Sequence, residues 1–502
     1  MMTHIDRRRF IEATAVSAAF SIVPRSVLGR TGHVPPSDKI TMAHIGMGAE
    51  GISELGWLLD DPAIQITAVC DPNTDSSDYM EWGKGDIRNR VRQYIQDLTW
   101  RAGDNGCPGG REVGRAAVDG YYAKQRRAAN YKACAVYADF REMFEKERDI
   151  DAVKIMTPDH LHATISIAAM KRGKHVLMHK PVANRMVEAR LAIETARSTK
   201  VATHMMAYGN APGNGLIAAR IKDGAIGHLL EIHNWTNRPV WPQYTEIPTA
   251  SVPVPKGLNW DLWLGPTLDR PYSRNYTHGV FRGWYDSGGG SMADMGIYSL
   301  WPVFTGLGLG VPVSAEAFAT HTCQLVDNVS GPAKNDFSYP TAWSIRFKFA
   351  PQPSMPALEL FWYDGGMKPR FPGEIEAVTP AIGIEGILFI GDKGMILAGY
   401  FGEDPVLFAN GKHEPLLPPA DAAKPNPDAV GRNKFWRTAF QGGAESPGSF
   451  LNLGPISDTV NLGTVALRAG QKVVFDSASA KITNADAANQ YLVREYRKGW
   501  EL

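Results

Sequence analysis

Cysteine is scarce in this chain, and the four that occur among 502 residues, Cys70, Cys107, Cys134 and Cys323, show neither CxxC nor Cys/His ligand spacing. A structural zinc site and a disulfide framework are therefore not expected, and no metal is assigned. Net charge is nearly absent too, since 53 Lys and Arg against 52 Asp and Glu leave a formal +1. Such a balance provides no field to gather nucleic acid or an anionic membrane, so the expected partner is a small neutral molecule and not nucleic acid. Long apolar runs are missing as well. The run from Ala13 to Val23 falls far short of the ~20 residues that span a bilayer, and later runs are broken by Gly, Pro or charge. No transmembrane helix is expected. What is present is 44% hydrophobic residues, enough for substantial cores in two or three domains.

The first residues carry an order of their own. In "DRRRFIEATAVSAAFSIVPRSVLG", Arg7, Arg8, one further residue and Phe10 precede the short apolar run and Pro24. This is the pattern of a twin-arginine export signal, although Asp6 and Glu12 depart from its consensus. Residues 1–35 read as signal and linker, and the expected location is periplasmic or otherwise exported.

Residues 36–182 read as a dinucleotide-binding unit. Ile40 to Ile45 forms a strand pattern, Gly46, Gly48 and Gly51 fit G-x-G-x-x-G, and Ile52, Leu55, Leu58 and Leu59 then repeat at helical period. A second strand pattern, "IQITAVCD", ends at Asp71, 20 residues beyond Gly51. A carboxylate there accepts from the adenine ribose hydroxyls, while the glycines let backbone and helix N-terminus approach a pyrophosphate. Asp71 is followed by Pro72 and Asn73 instead of a cation, which favours NAD over NADP. An insert over residues 75–132, rich in Arg, Lys, Tyr and Gly, reads either as a solvated excursion or as a flap or subunit contact. Two later strands end in polar clusters, "TPDHLH" at Thr157 to His162 and "HKP" at His179 to Pro181. In an open parallel sheet both belong at the carboxyl edge, where ligands bind.

In these motifs and their order the chain resembles the glucose–fructose oxidoreductase, inositol dehydrogenase and MocA family, whose first domain carries GxGxxG, TP[DN]xxH and EKP. The stretch "NYTHGVFRGWYDSGGGSMADMGIYSLWP" is similar to the family's substrate loops and its GGGxxxDxGxH element. The resemblance implies an α/β Rossmann domain with a doubly wound parallel sheet. After it, over residues 183–502, comes an α+β domain with a large, mainly antiparallel sheet that builds homo-oligomers, a dimer or tetramer. It further implies a nucleotide held by Gly46, Met47, Gly48, Gly51, Asp71, Thr157, Pro158, Asp159, His162, His179, Lys180 and Asn210. Lys180 takes the position that addresses the reacting hydroxyl or carbonyl, with Asp294 and Tyr298 orienting and protonating it. Two residues depart from the family: His179 replaces its glutamate, expected to face the ribose, and Tyr298 replaces its histidine. A purely structural reading stays open, with Asp294 bracing a helix start and Tyr298 in a core.

Tyr276, Thr277, His278, Arg282, Trp284 and Tyr285 suggest a sugar site, because aromatic faces stack on a pyranose while Arg and His address its hydroxyls. "NYTHG" is also similar to the substrate loop of the NAD-dependent glycosidases of family 109. Three readings follow: an oxidoreductase of sugars, polyols or glycosides with tightly bound NAD; a redox-neutral glycosidase that oxidises C3 transiently and eliminates the aglycone; and a binding protein with a decayed site.

Overall fold

The structure is a computed structural model that describes residues 38–126, 133–207, 212–333, 335–353, 355–379, 382–416 and 429–502. The export pattern and Asn210 lie outside the described residues.

The first sheet is parallel throughout. Its strands are β1 (Ile40–Ile45), β2 (Ile64–Cys70), β3 (Ala135–Tyr137), β4 (Ala152–Ile155), β5 (His175–Met178) and β6 (Thr203–Met205). Their spatial order is β3-β2-β1-β4-β5-β6, a doubly wound arrangement whose direction reverses between β1 and β4. Helices cover both faces, so the strands are buried on both sides and read as nearly continuous apolar runs. Helix α1 (Ala49–Leu59) lays Ile52, Leu55, Leu58 and Leu59 on one face, and α2 (Asp159–Met170) starts directly after β4. Strand β6 pairs with β5, so this sheet extends beyond the boundary expected at residue 182. A late helix, Ala429–Phe440, returns to this domain and contributes Trp436, Ala439 and Phe440 to its core.

Among the described residues the second sheet has ten strands, of which only Leu229–Trp235 and Leu358–Tyr363 run parallel. Strand Trp343–Phe349 alternates buried and half-buried residues, as expected for a sheet with one covered face. Helices Ile297–Leu307 and Gly454–Ala469 take part in the same apolar cluster as its buried face. That cluster runs without a break from Ile45, Val153 and Met178 of the first sheet to Trp343, Trp362 and Phe389 of the second. The Arg494–Glu188 pair, buried on both sides, spans the two domains. The expected two-domain α/β plus α+β architecture is therefore the observed one. Among the described residues no helix is long and apolar enough to cross a membrane.

The insert is an ordered piece of the first domain over its described part. Ser76–Tyr79 pairs antiparallel with Cys107–Gly109, and helices Asp86–Ile95 and Arg111–Tyr121 pack beside α1 and β2. Gly110 N–H donates to Met47 O at 2.9 Å and Arg111 N–H to Asn73 O at 3.0 Å, so the insert is anchored on the glycine loop itself.

Candidate active site

A cleft opens at the carboxyl edge of the first sheet, between β1 and β4. Gly46, Gly48, Gly51, Asp71, Thr157, Pro158, His179, Lys180, His278 and Arg282 line it. Gly46 sits at φ +98°, and a Cβ there would come within 2.5 Å of Met156 O across the reversal point. A Cβ on Gly51 would meet Gly46 O at 2.2 Å, so only glycine lets helix and loop close together here. Gly48 opens α1 with no side-chain cap, leaving the helix N-terminus for an external acceptor.

Asp71 ends β2 beside this loop. Its carboxylate accepts from Met47 N–H at 2.7 Å and Asn73 N–H at 2.8 Å. Burial pushes it up to about 6, against the pull of those two N–H groups and of Arg111. Arg111 donates to the Asp71 carbonyl at 3.1 Å and to Thr74 Oγ1 at 2.6 Å. Thr157 Oγ1 is buried on the opposite wall without a partner. An uncapped helix start, a glycine cradle, a carboxylate at the second strand end and an orphaned hydroxyl fit the diphosphate and ribose groups of a dinucleotide.

Strand β5 delivers the second half of the site. His179 and Lys180 follow Met178 directly, and the Lys180–Pro181 peptide is cis. Lys180 Nζ donates to Asp294 Oδ1, and both side chains are buried. Arg282 Nε lies 3.2 Å and Arg238 Nε 3.8 Å from the same carboxylate. Burial works to raise Asp294, but Lys180, Arg282 and Arg238 outweigh it and hold the carboxyl below its usual range. Burial lowers Lys180, with Asp294 opposing and Arg282 assisting, so the ammonium gives up its proton more readily than that of a free lysine.

His179 and Tyr298, the two residues that differ from the motifs of the family this chain resembles, meet each other. His179 Nε2 lies 2.7 Å from the Tyr298 hydroxyl, and Glu54 Oε1 is 3.5 Å from the same nitrogen. Glu54 Oε2 in turn accepts from Lys154 of β4 in a buried ion pair. The Lys180 ammonium lies 5.0 Å from the Tyr298 ring centre. His162 and Asp159 brace the site. His162 Nδ1 and Nε2 approach Pro181 O at 2.6 Å and Thr157 O at 2.8 Å, and Asp159 accepts from Gly289 N–H at 2.9 Å. These contacts tie the two polar strand ends to each other and to the glycine-rich element before Asp294.

The suggested sugar-binding residues divide. His278 and Arg282 face the cleft, and His278 stacks on Tyr79 with ring centres 3.9 Å apart. Tyr276 and Trp284 pack in an aromatic cluster with Trp260 and Trp263, and Tyr285 packs on Tyr339 and Arg468. Thr277 is buried as well. Several cleft residues were not foreseen. Tyr79, Met80 and Trp82 of the insert line the opening, and Trp82 Nε1 donates to Glu50 at the start of α1. Arg238 sits over the Trp82 ring at 5.4 Å. The insert thus lines the opening of the cleft, the placement a flap would need. Glu54 and Lys154 carried a readable sign, a charge set inside apolar patterns.

The oxidoreductase-family model for an NAD-binding Rossmann fold, Gfo/Idh/MocA, matches residues 95–207, and that family's C-terminal alpha/beta domain model matches residues 222–342. Levoglucosan dehydrogenase of Pseudarthrobacter phenanthrenivorans is 34% identical over 112 residues, covering 21% of this chain and 28% of that protein. The alpha-N-acetylgalactosaminidase of Shewanella oneidensis is 25% identical over 246 residues, 46% of this chain and 45% of its own. The chain therefore spans less than half the length of these curated relatives. The crystal structure of the WlbA dehydrogenase from Bordetella pertussis, in complex with NADH and UDP-GlcNAcA, has a TM-score of 0.53 at 12% identity, covering 87% of this chain and 99% of that one. That likeness concerns the fold.

Proposed function

We propose that this chain, whose residues 95–207 and 222–342 match the two domain models of the Gfo/Idh/MocA oxidoreductase family, is an NAD-dependent oxidoreductase of that kind acting on a sugar, polyol or glycoside. The observation that carries the reading is the Lys180–Asp294 pair, held by Arg282 across the cleft from the glycine cradle. Gly46, Gly48, Gly51, Asp71 and Thr157 would hold the nucleotide, with Met47 N–H fixing the Asp71 carboxylate. When bound, NAD supplies the hydride acceptor at a carbinol carbon. Lys180 addresses the reacting oxygen, Asp294 fixes the lysine, and Tyr298 stands beside them for proton transfer. Asp71 favours NAD over NADP, because a 2′-phosphate would face its carboxylate. Arg111 spends its donors on the Asp71 carbonyl and Thr74.

A redox-neutral glycosidase is the second reading. It is favoured by the family-109 relatives, whose similarity extends over 246 residues against 112 for the dehydrogenase. We further propose twin-arginine export, from Arg7 and Arg8, and self-association into a dimer or tetramer through the second sheet. The deciding experiment incubates the purified protein, without added cofactor, with sugars, polyols and nitrophenyl glycosides. A keto-sugar or lactone selects the oxidoreductase; aglycone release without net NADH selects the glycosidase. Lys180→Met should retain fold and nucleotide while turnover falls by about 10² or more. Full activity in that variant would remove the lysine from the chemistry.

A further inference from the structure

We infer that His179 and Tyr298 form one proton relay, in which the Tyr298 hydroxyl takes the substrate's proton while passing its own to His179 Nε2, beside Glu54. The inference rests on the oxidoreductase reading above and adds an exit for the proton.

The geometry supplies each step. At 2.7 Å the Tyr298 hydroxyl is placed to donate to Nε2 once the hydrogen of the neutral imidazole sits on Nδ1, the tautomer the relay requires. Donation in that direction leaves the phenol oxygen's lone pairs free to accept from a substrate hydroxyl held at Lys180, whose ammonium is 5.0 Å from the ring centre. The charged groups around His179 are Lys180 next in chain, Lys154 of β4, Arg282, His162 of α2 and Glu54 of α1. Burial first, then the cations among them, keep the resting ring neutral well below the usual imidazole value, so its lone pair is available. Burial, then Glu54 and Asp294, push the Tyr298 phenol well above its usual value. The tyrosine therefore passes a proton on and does not store the negative charge. Glu54 Oε1, 3.5 Å from Nε2, faces the imidazolium that results, and Lys154 keeps that carboxylate in place.

The balance closes on the oxidation of an alcohol. The substrate O–H bond breaks and an O–H bond forms on Tyr298, while the tyrosine's own O–H breaks and an N–H forms on His179. With NAD bound, the carbinol C–H pair would leave to it as hydride and the C–O bond would become a carbonyl. Glu54 touches no reacting atom in this scheme and is a positioning residue.

The test compares His179→Gln, Tyr298→Phe and the double variant with the wild type. A glutamine carbonyl accepts the Tyr298 hydrogen bond but takes no proton. Each single variant should keep wild-type melting, bound nucleotide and KM while kcat falls by about 10² or more. The double variant should lose no more than a single one, since the two act as a unit. The wild-type kcat should fall on the acid side as the resting imidazole becomes protonated, in a limb below the usual imidazole range, and that limb should vanish in His179→Gln. A kcat within about threefold of wild type in His179→Gln, losses that multiply, or a persisting limb would overturn the relay. Nitrogen-15 spectra of labelled histidine, assigned by difference with His179→Gln, read the resting tautomer without turnover. A hydrogen on Nε2 overturns the relay even if no substrate reduces the bound nicotinamide. Absence of that reduction in the wild type counts against the oxidoreductase reading alone.

Discussion

Replacing Lys154 by methionine would remove the buried partner of Glu54 beneath the cleft. Both side chains are buried, Lys154 to 1% exposure, and Lys154 Nζ donates directly to Glu54 Oε2. Breaking a buried pair on one side costs about 3–5 kcal/mol, because the remaining charge must stay unpaired or take a proton. At roughly 2–4 °C per kcal/mol for a domain of this size, the first domain should melt about 6 to 20 °C lower. Adding Glu54→Gln should recover most of the loss, since an amide needs no cation. The assay is thermal unfolding by circular dichroism on nucleotide-free protein for both singles and the double. A Lys154→Met variant melting within about 2 °C of wild type, or a double variant no better than it, would refute the pairing as the cause.

Two further outcomes follow from the cleft. NAD affinity should weaken as pH is lowered through about 6, by at most tenfold per unit, because Asp71 sits near 6 in the free protein and must be ionised to accept from ribose hydroxyls. Asp71→Asn should flatten that dependence and weaken binding by about 1.5–3 kcal/mol; titration calorimetry at several pH values checks both, and an unchanged affinity would show the carboxylate idle. Trp82→Ala cuts the insert's tie to Glu50 and its contact with Arg238, so nucleotide release should quicken on the order of tenfold with little change in melting. Displacement kinetics would show it, and an unaltered release rate would detach the insert from nucleotide retention.

What could be read from sequence was the part that chain order dictates. Gly46 and Asp71 follow a buried strand directly, Gly48, Thr157 and Lys180 come within three residues of one, and Gly51 lies in the first turn of the helix after β1, so the end of an apolar run locates them at one sheet edge. Tyr276, Trp284 and Tyr285 could not be sorted in that way, because a loop aromatic that stacks on a sugar and one that stacks on Trp260 or Tyr339 have the same local sequence. Arg238 and Trp82 reach the cleft only through tertiary folding of segments remote in the chain. The pairing of His179 with Tyr298 was hidden for the same reason, although each departure was visible alone. Lys154 was legible in principle: a lysine inside "AVKI", in a strand buried on both faces, requires a carboxylate partner.

The account stands on a dinucleotide in the cleft between β1 and β4, and mass spectrometry of the small molecules released by denaturing the purified protein tests this most directly. NAD should be recovered in an amount close to one per chain, and the stripped protein should rebind NAD in preference to NADP. No released nucleotide, together with no binding of either form by the stripped protein, would contradict it.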